Sequence, residues 1–221
     1  MSTEQRTDTT ISLVRHADAV PEMDAQIDPE GYDALGLSVR GAAQAEALAR
    51  RLFATTALDA IYASPTRRAR ETAEPVAAAF RLQLSLDERL REVGMPVVTL
   101  HHLAAGERAA AVRAQLALFG KTAMRDGTWT ALAQTEPPQH VRARMRALIG
   151  DLQRRHHGGR VLAVSHAGTI NAYFAELLGL TRDFFFPTGN TSISTLRIAR
   201  HGPMVVRLND TAHLERPLDT T

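Results

Sequence analysis

The sequence predicts an α/β protein, a three-layer α/β/α arrangement around a mainly parallel central sheet with a small helical cap inserted. Three observations carry that prediction. Short apolar runs (ISLVR, DAIYA, RVLAVS) alternate with segments whose apolar residues recur at helical spacing. The run RVLAVS is apolar almost without interruption, as in strands buried on both faces of a parallel sheet. The chain has 221 residues, 44% hydrophobic and 23% charged, enough for one core of ordinary globular composition.

The elements follow in order. Residues 1–10 are polar and read as a loose tail, and residues 11–15 as the first strand. A loop rich in Asp, Pro and Gly runs to about residue 37. Val39, Ala42, Ala45, Ala49 and Leu52 mark a helix with Ser38 at its N-cap. Residues 59–63 read as a second strand, Thr66–Phe80 as a helix and residues 82–86 as a third strand. The segment 94–136 holds a helix over Glu107–Phe119 and a loop around Trp129, and supplies the cap. Pro137-Pro138 opens another helix, ended by Gly158-Gly159. Residues 160–165 form a strand, Gly168–Leu178 a helix, and residues 192–199 and 203–208 a final pair of strands around His201-Gly202. Residues 210–221 read as a second loose tail. No repeat or linker divides the chain, so residues 1–221 read as one domain.

Composition narrows the function. There is no cysteine, which excludes disulfides, zinc–thiolate sites and cysteine-based phosphoryl transfer. The formal net charge is +2, and Lys121 is the only lysine among spread-out arginines, so no basic face for nucleic acid is expected. The polar start lacks the apolar core of a signal peptide, and no run approaches the ~18 apolar residues of a membrane span. The expectation is a cytoplasmic protein with no membrane or nucleic-acid partner.

The chemistry gathers where strands end and helices begin, the usual place for working residues in such sheets. Arg15-His16 ends the first strand, and His166-Ala167-Gly168 follows RVLAVS and opens a helix whose N–H groups would suit an anion. Ser64-Pro65-Thr66-Arg67-Arg68-Ala69 follows the second strand, and Leu90-Arg91-Glu92 places a carboxylate after the third. Imidazole is a nucleophile near neutral pH, guanidinium forks match phosphate oxygens, and a carboxylic acid can protonate a leaving alkoxide. The set therefore points to phosphoryl transfer. Adjacent histidines make poor chelates, so His101-His102 and His156-His157 are not read as metal ligands. The arginines oppose a cation shared by His16, Asp18 and His166. No metal or cofactor is expected.

Taken together, these motifs resemble the histidine phosphatase superfamily, also called the phosphoglycerate mutase-like family. The resemblance rests on Leu13-Val14-Arg15-His16, on Leu37-Ser38 through Gly41, Gln44, Ala45, Ala47 and Leu48, and on Ser64 through Ala73. It continues with Ser165-His166-Ala167-Gly168 and Asn190-Thr191-Ser192-Ile193, in the family's order. It implies that His16 is the nucleophile that becomes phosphohistidine. Arg15, Arg68 rather than Arg67, and His166 would clamp the phosphate, with Ala167 beside them. Glu92 would be the general acid and base, with Glu88 or Glu107 as alternatives. The chain departs from the family in Ala17-Asp18, where Gly and Glu are usual, and in Val93-Gly94-Met95-Pro96, which lacks a common Trp motif. The expected function is metal-independent hydrolysis of a small phosphorylated substrate. The alternatives are a mutase that returns the phosphate to a second hydroxyl, or a phospholigand-binding module without turnover. The sequence names neither the substrate nor the oligomeric state.

Overall fold

A computed structural model describes residues 7–21, 34–94, 100 and 102–214. Its centre is a six-stranded sheet in the order β3-β2-β4-β1-β5-β6, made of β1 (Thr9–Arg15), β2 (Ala60–Ala63), β3 (Leu84–Leu86), β4 (Arg160–Ser165), β5 (Ile193–Ala199) and β6 (Gly202–Asp210). The first four strands run parallel, and β5 and β6 pair antiparallel at one edge. The helices are α1 (Val39–Thr55), α2 (Arg67–Phe80), α3 (Ala105–Asp126), α4 (Pro138–Arg155) and α5 (Ala167–Leu177).

Strand alternation builds two cores from one sheet. Ile11, Leu13, Val161 and Ala163 point to one face and pack with Met145, Leu148 and Leu152 of α4 and Ile170 and Phe174 of α5. Val14, Leu162 and Val164 point to the other and meet Leu48 and Leu52 of α1 and Ala69, Ala73 and Val76 of α2. Both faces of β4 are thus covered, which is why it reads as a nearly unbroken apolar run. Ser38 caps α1 as expected, its hydroxyl accepting the Gly41 N–H at 3.0 Å.

Several boundaries move for local reasons. β1 begins at Thr9, inside the expected tail, because the Thr9 hydroxyl donates to the His156 carbonyl and accepts the Gly158 N–H. β3 starts only at Leu84, since the Leu82 N–H closes the end of α2 on the Ala77 carbonyl. α3 continues past Phe119 to Asp126, because Phe119 and Ala123 pack against the fully buried Trp129 with Val93, Ala172 and Phe184. The second tail is anchored through residue 214: Arg51 forms a two-pronged ion pair with Asp210 and reaches the His213 ring. The rest of the two tails, residues 22–33 of the first loop, and residues 95–99 and 101 of the cap lie outside the described residues.

Candidate active site

His16 and His166 meet at the carboxyl ends of the adjacent parallel strands β1 and β4, with ring centroids 5.0 Å apart and both residues buried. Register brings them there, since Arg15 pairs with Ser165 and each histidine is the next residue. Each ring is held in one tautomer. His16 Nδ1–H donates to the Ala17 carbonyl at 2.7 Å, which leaves Nε2 with its lone pair. Arg68 Nη2 donates to His166 Nδ1 at 3.4 Å, so Nε2–H of that ring points to the Ser64 hydroxyl at 2.9 Å.

Both rings are held neutral. Burial first, then the charges of Arg68 and Arg15, push His16 well below the ordinary imidazole value. His166 is lowered by burial, then by Arg68, with smaller contributions from His16, Arg144 and Arg15.

The two arginines of the second motif separate sharply. Arg68 is fully buried beside His166, whereas the Arg67 side chain is 57% exposed and pairs with Glu71 one helical turn on. Arg15 Nη1 donates to the Thr188 carbonyl, fixing the guanidinium at the rim. Arg15, His16, Glu92 and Ala167 all line one cavity of about 630 Å³.

Glu92 is gripped rather than loose. Its Oε1 accepts the Thr169 N–H at 3.1 Å and the Val93 N–H at 2.9 Å, and the Gly168 N–H points at Oε2. Two of the α5 N–H groups expected to face phosphate therefore face this carboxylate instead, because an acidic side chain is already seated at the helix dipole's positive end. Gly168 permits the approach, since a Cβ there would lie 2.8 Å from Glu92 Oε1. Arg144 holds the segment from behind, bonding the Arg89 and Glu92 carbonyls and pairing with Glu136.

The other candidate carboxylates lie elsewhere. Glu88 is exposed and pairs with Arg91, and Glu107 closes the start of α3 on the Ala104 N–H. Asp18 belongs to the first loop, its carboxylate accepting the Ser38 hydroxyl at 2.6 Å and its carbonyl the Ser38 N–H. Ala17 needs no glycine, because it is absent from the positive-φ residues among those described. Gly41 is required, since a Cβ would fall 2.0 Å from the Asp18 carbonyl oxygen. His156 pairs with the Tyr62 hydroxyl at 2.9 Å; His101 lies outside the described residues.

Thr72 and Asn190 stand in the quoted motifs, but sequence reading assigned them no role in framing the pair. Thr72 receives the Ala17 N–H, and Asn190 Nδ2 donates to the His16 carbonyl at 3.1 Å. Asn190 lies in the turn before β5, beside the end of β1, so its placement at a strand terminus was the available signal.

The family model described as "Histidine phosphatase superfamily (branch 1)" matches residues 11–211. "Phosphoserine phosphatase 1" of Hydrogenobacter thermophilus is 27% identical over 208 residues, covering 91% of this chain and 92% of that protein. The Enterobacter sp. protein named "Probable phosphoglycerate mutase GpmB" is 27% identical over 214 residues, covering 94% and 95%. Among solved structures, mycobacterial glucosyl-3-phosphoglycerate phosphatase superposes with a TM-score of 0.68 at 26% identity, covering 92% of this chain and all of that one (100%). Bacillus stearothermophilus YhfR shares the fold at a TM-score of 0.72 over 93% and 98% of the two chains, with 24% identity. With the family model spanning nearly the whole sequence, the chain belongs to the histidine phosphatase superfamily, branch 1.

Proposed function

We propose that this enzyme hydrolyses phosphate monoesters in two steps through a phosphohistidine on His16, without a metal. The observation that carries the reading is the buried, neutral imidazole pair, in which His16 keeps Nε2 unprotonated among arginine charges. In the first step the Nε2 lone pair attacks phosphorus in line, and the bond to the ester oxygen breaks. Arg15, Arg68 and His166 stabilise charge on the equatorial oxygens, and Glu92 gives its proton to the departing oxygen. In the second step Glu92 takes a proton from water, the water oxygen bonds to phosphorus, and the N–P bond breaks to restore His16.

Hydrolysis of an aryl phosphate tests the reading. Wild type should turn over in EDTA and should carry acid-labile, base-stable phosphate after quenching. His16→Ala should lose about 10³-fold or more in kcat and all of that label. Equal background rates in the two proteins would remove the nucleophile assignment and leave a phospholigand-binding module. Because some relatives carry the mutase name, 3-phosphoglycerate is the second assay. Release of free phosphate is expected, and 2-phosphoglycerate as the main product would turn the assignment to a mutase.

A further inference from the structure

We propose that the cavity over His16 selects a phosphate monoester whose alcohol is bulky, largely apolar and itself negatively charged, with Gly120 setting the size and Lys121 meeting the charge. The proposal rests on the phosphatase reading for the position of the phosphate.

The cavity holds about 630 Å³, the size of a site for a drug-sized ligand and far more than a bare phosphate needs. One wall is a single stripe of α3. Arg113, Leu116, Ala117, Gly120, Lys121 and Met124 recur three and four residues apart, so one helix face looks into the cavity. Gly120 is the anomaly on that stripe. It sits inside a 22-residue helix, where glycine is unfavourable relative to alanine, and its φ is not positive. No described atom lies within 4 Å of where its Cβ would be, so packing does not require it. What glycine preserves there is open cavity.

The charges favour an anion at the far end of the alcohol. With a phosphate placed against Arg15, the other cations on the wall among the described residues are Arg113 and Lys121. Arg113 is tied to the Pro21 carbonyl at 2.9 Å. Lys121 is exposed, on the turn adjoining Gly120. Among the described residues, the carboxylates facing the cavity are engaged, Asp18 by Ser38 and Glu92 by the start of α5. A carboxylate or second phosphate on the substrate would complete the charge balance beside Lys121.

The experiment uses phosphoserine, naphthyl phosphate and carboxynaphthyl phosphate, with kcat and KM for turnover and calorimetric Kd in the His16→Ala background. The expected order of kcat/KM is carboxynaphthyl, then naphthyl, then phosphoserine. Gly120→Leu should raise KM for both naphthyl esters by about tenfold or more and leave phosphoserine within about twofold. Lys121→Gln should raise KM by about threefold or more for carboxynaphthyl phosphate alone, as befits an exposed ionic contact. Phosphoserine turnover by each variant reports that it is folded. A uniform loss across all three esters, or no ordering by size, overturns the proposal. Ordered Kd values without turnover would support the subsite and overturn the phosphatase reading instead.

Discussion

At His16 and His166, burial and guanidinium charge act in one direction, and the consequence extends to stability. In an unfolded chain both histidines titrate near ~6.5, whereas in the folded chain both stay neutral well below that value. As pH falls through this window the unfolded chain binds protons that the folded chain does not. Stability therefore declines, by up to about 1.4 kcal/mol per pH unit for each such histidine. His213, lowered to about 4 by burial and Arg51, acts with the same sign. Urea midpoints measured from pH 7.5 to 5 should fall steadily, and His16→Ala should give a shallower slope; a flat profile would contradict buried neutral rings. Glu92 supports a second prediction. Glu92→Gln should slow hydrolysis of alkyl phosphates by about 10²–10⁴-fold. With nitrophenyl phosphate, whose leaving group needs no proton, it should release one rapid equivalent of nitrophenol before slow turnover. Loss of that burst would move Glu92 from the chemical steps to a supporting role.

At the scale of elements, the turn between α5 and β5 determines how well the β1 end is held. Thr191 is buried with φ at +54°, a left-handed conformation that costs a β-branched residue about 1–3 kcal/mol. Its N–H donates to the Arg15 carbonyl, and its hydroxyl donates to the Asn190 carbonyl. His213 Nε2–H reaches the same hydroxyl at 2.9 Å while Arg51 donates to Nδ1. The chain's end thereby braces the turn that carries Asn190 to the His16 carbonyl. His213→Ala should cost about 1–2 kcal/mol, since two hydrogen bonds are lost and the strain remains. Denaturation should show that cost, together with a lower kcat at little-changed KM; a variant as stable as wild type would show that the brace carries no strain.

At the scale of the molecule, α3 and the segment after it share an apolar joint with α4 and α5. Trp129 is fully buried against Phe119, and its indole N–H donates to the Glu136 carbonyl at 2.8 Å. Glu136 in turn bonds Gly94 and Arg144, so this joint also steadies the segment carrying Glu92. Trp129→Ala should cost about 3–5 kcal/mol and weaken binding of bulky esters more than of phosphoserine. Thermal melts and KM values for both substrate types check this; an unchanged melting temperature would mean that α3 does not rest on the joint.

The sequence by itself determined the order of elements, the two-faced burial of β4 and the strand-end places of His16 and His166, because periodicity and turn residues act over a few neighbours. It distinguished Arg68 from Arg67 only through the family resemblance; helix phase then put one inside and left the other at the surface. What only the tertiary structure decided were contacts between segments far apart in the chain. Glu92 seated on α5, Asn190 on the His16 carbonyl, His213 under Thr191 and α3 run on to Asp126 are the examples. Such contacts form when packing and hydrogen bonding bring distant groups together, and no local pattern records which partners they find.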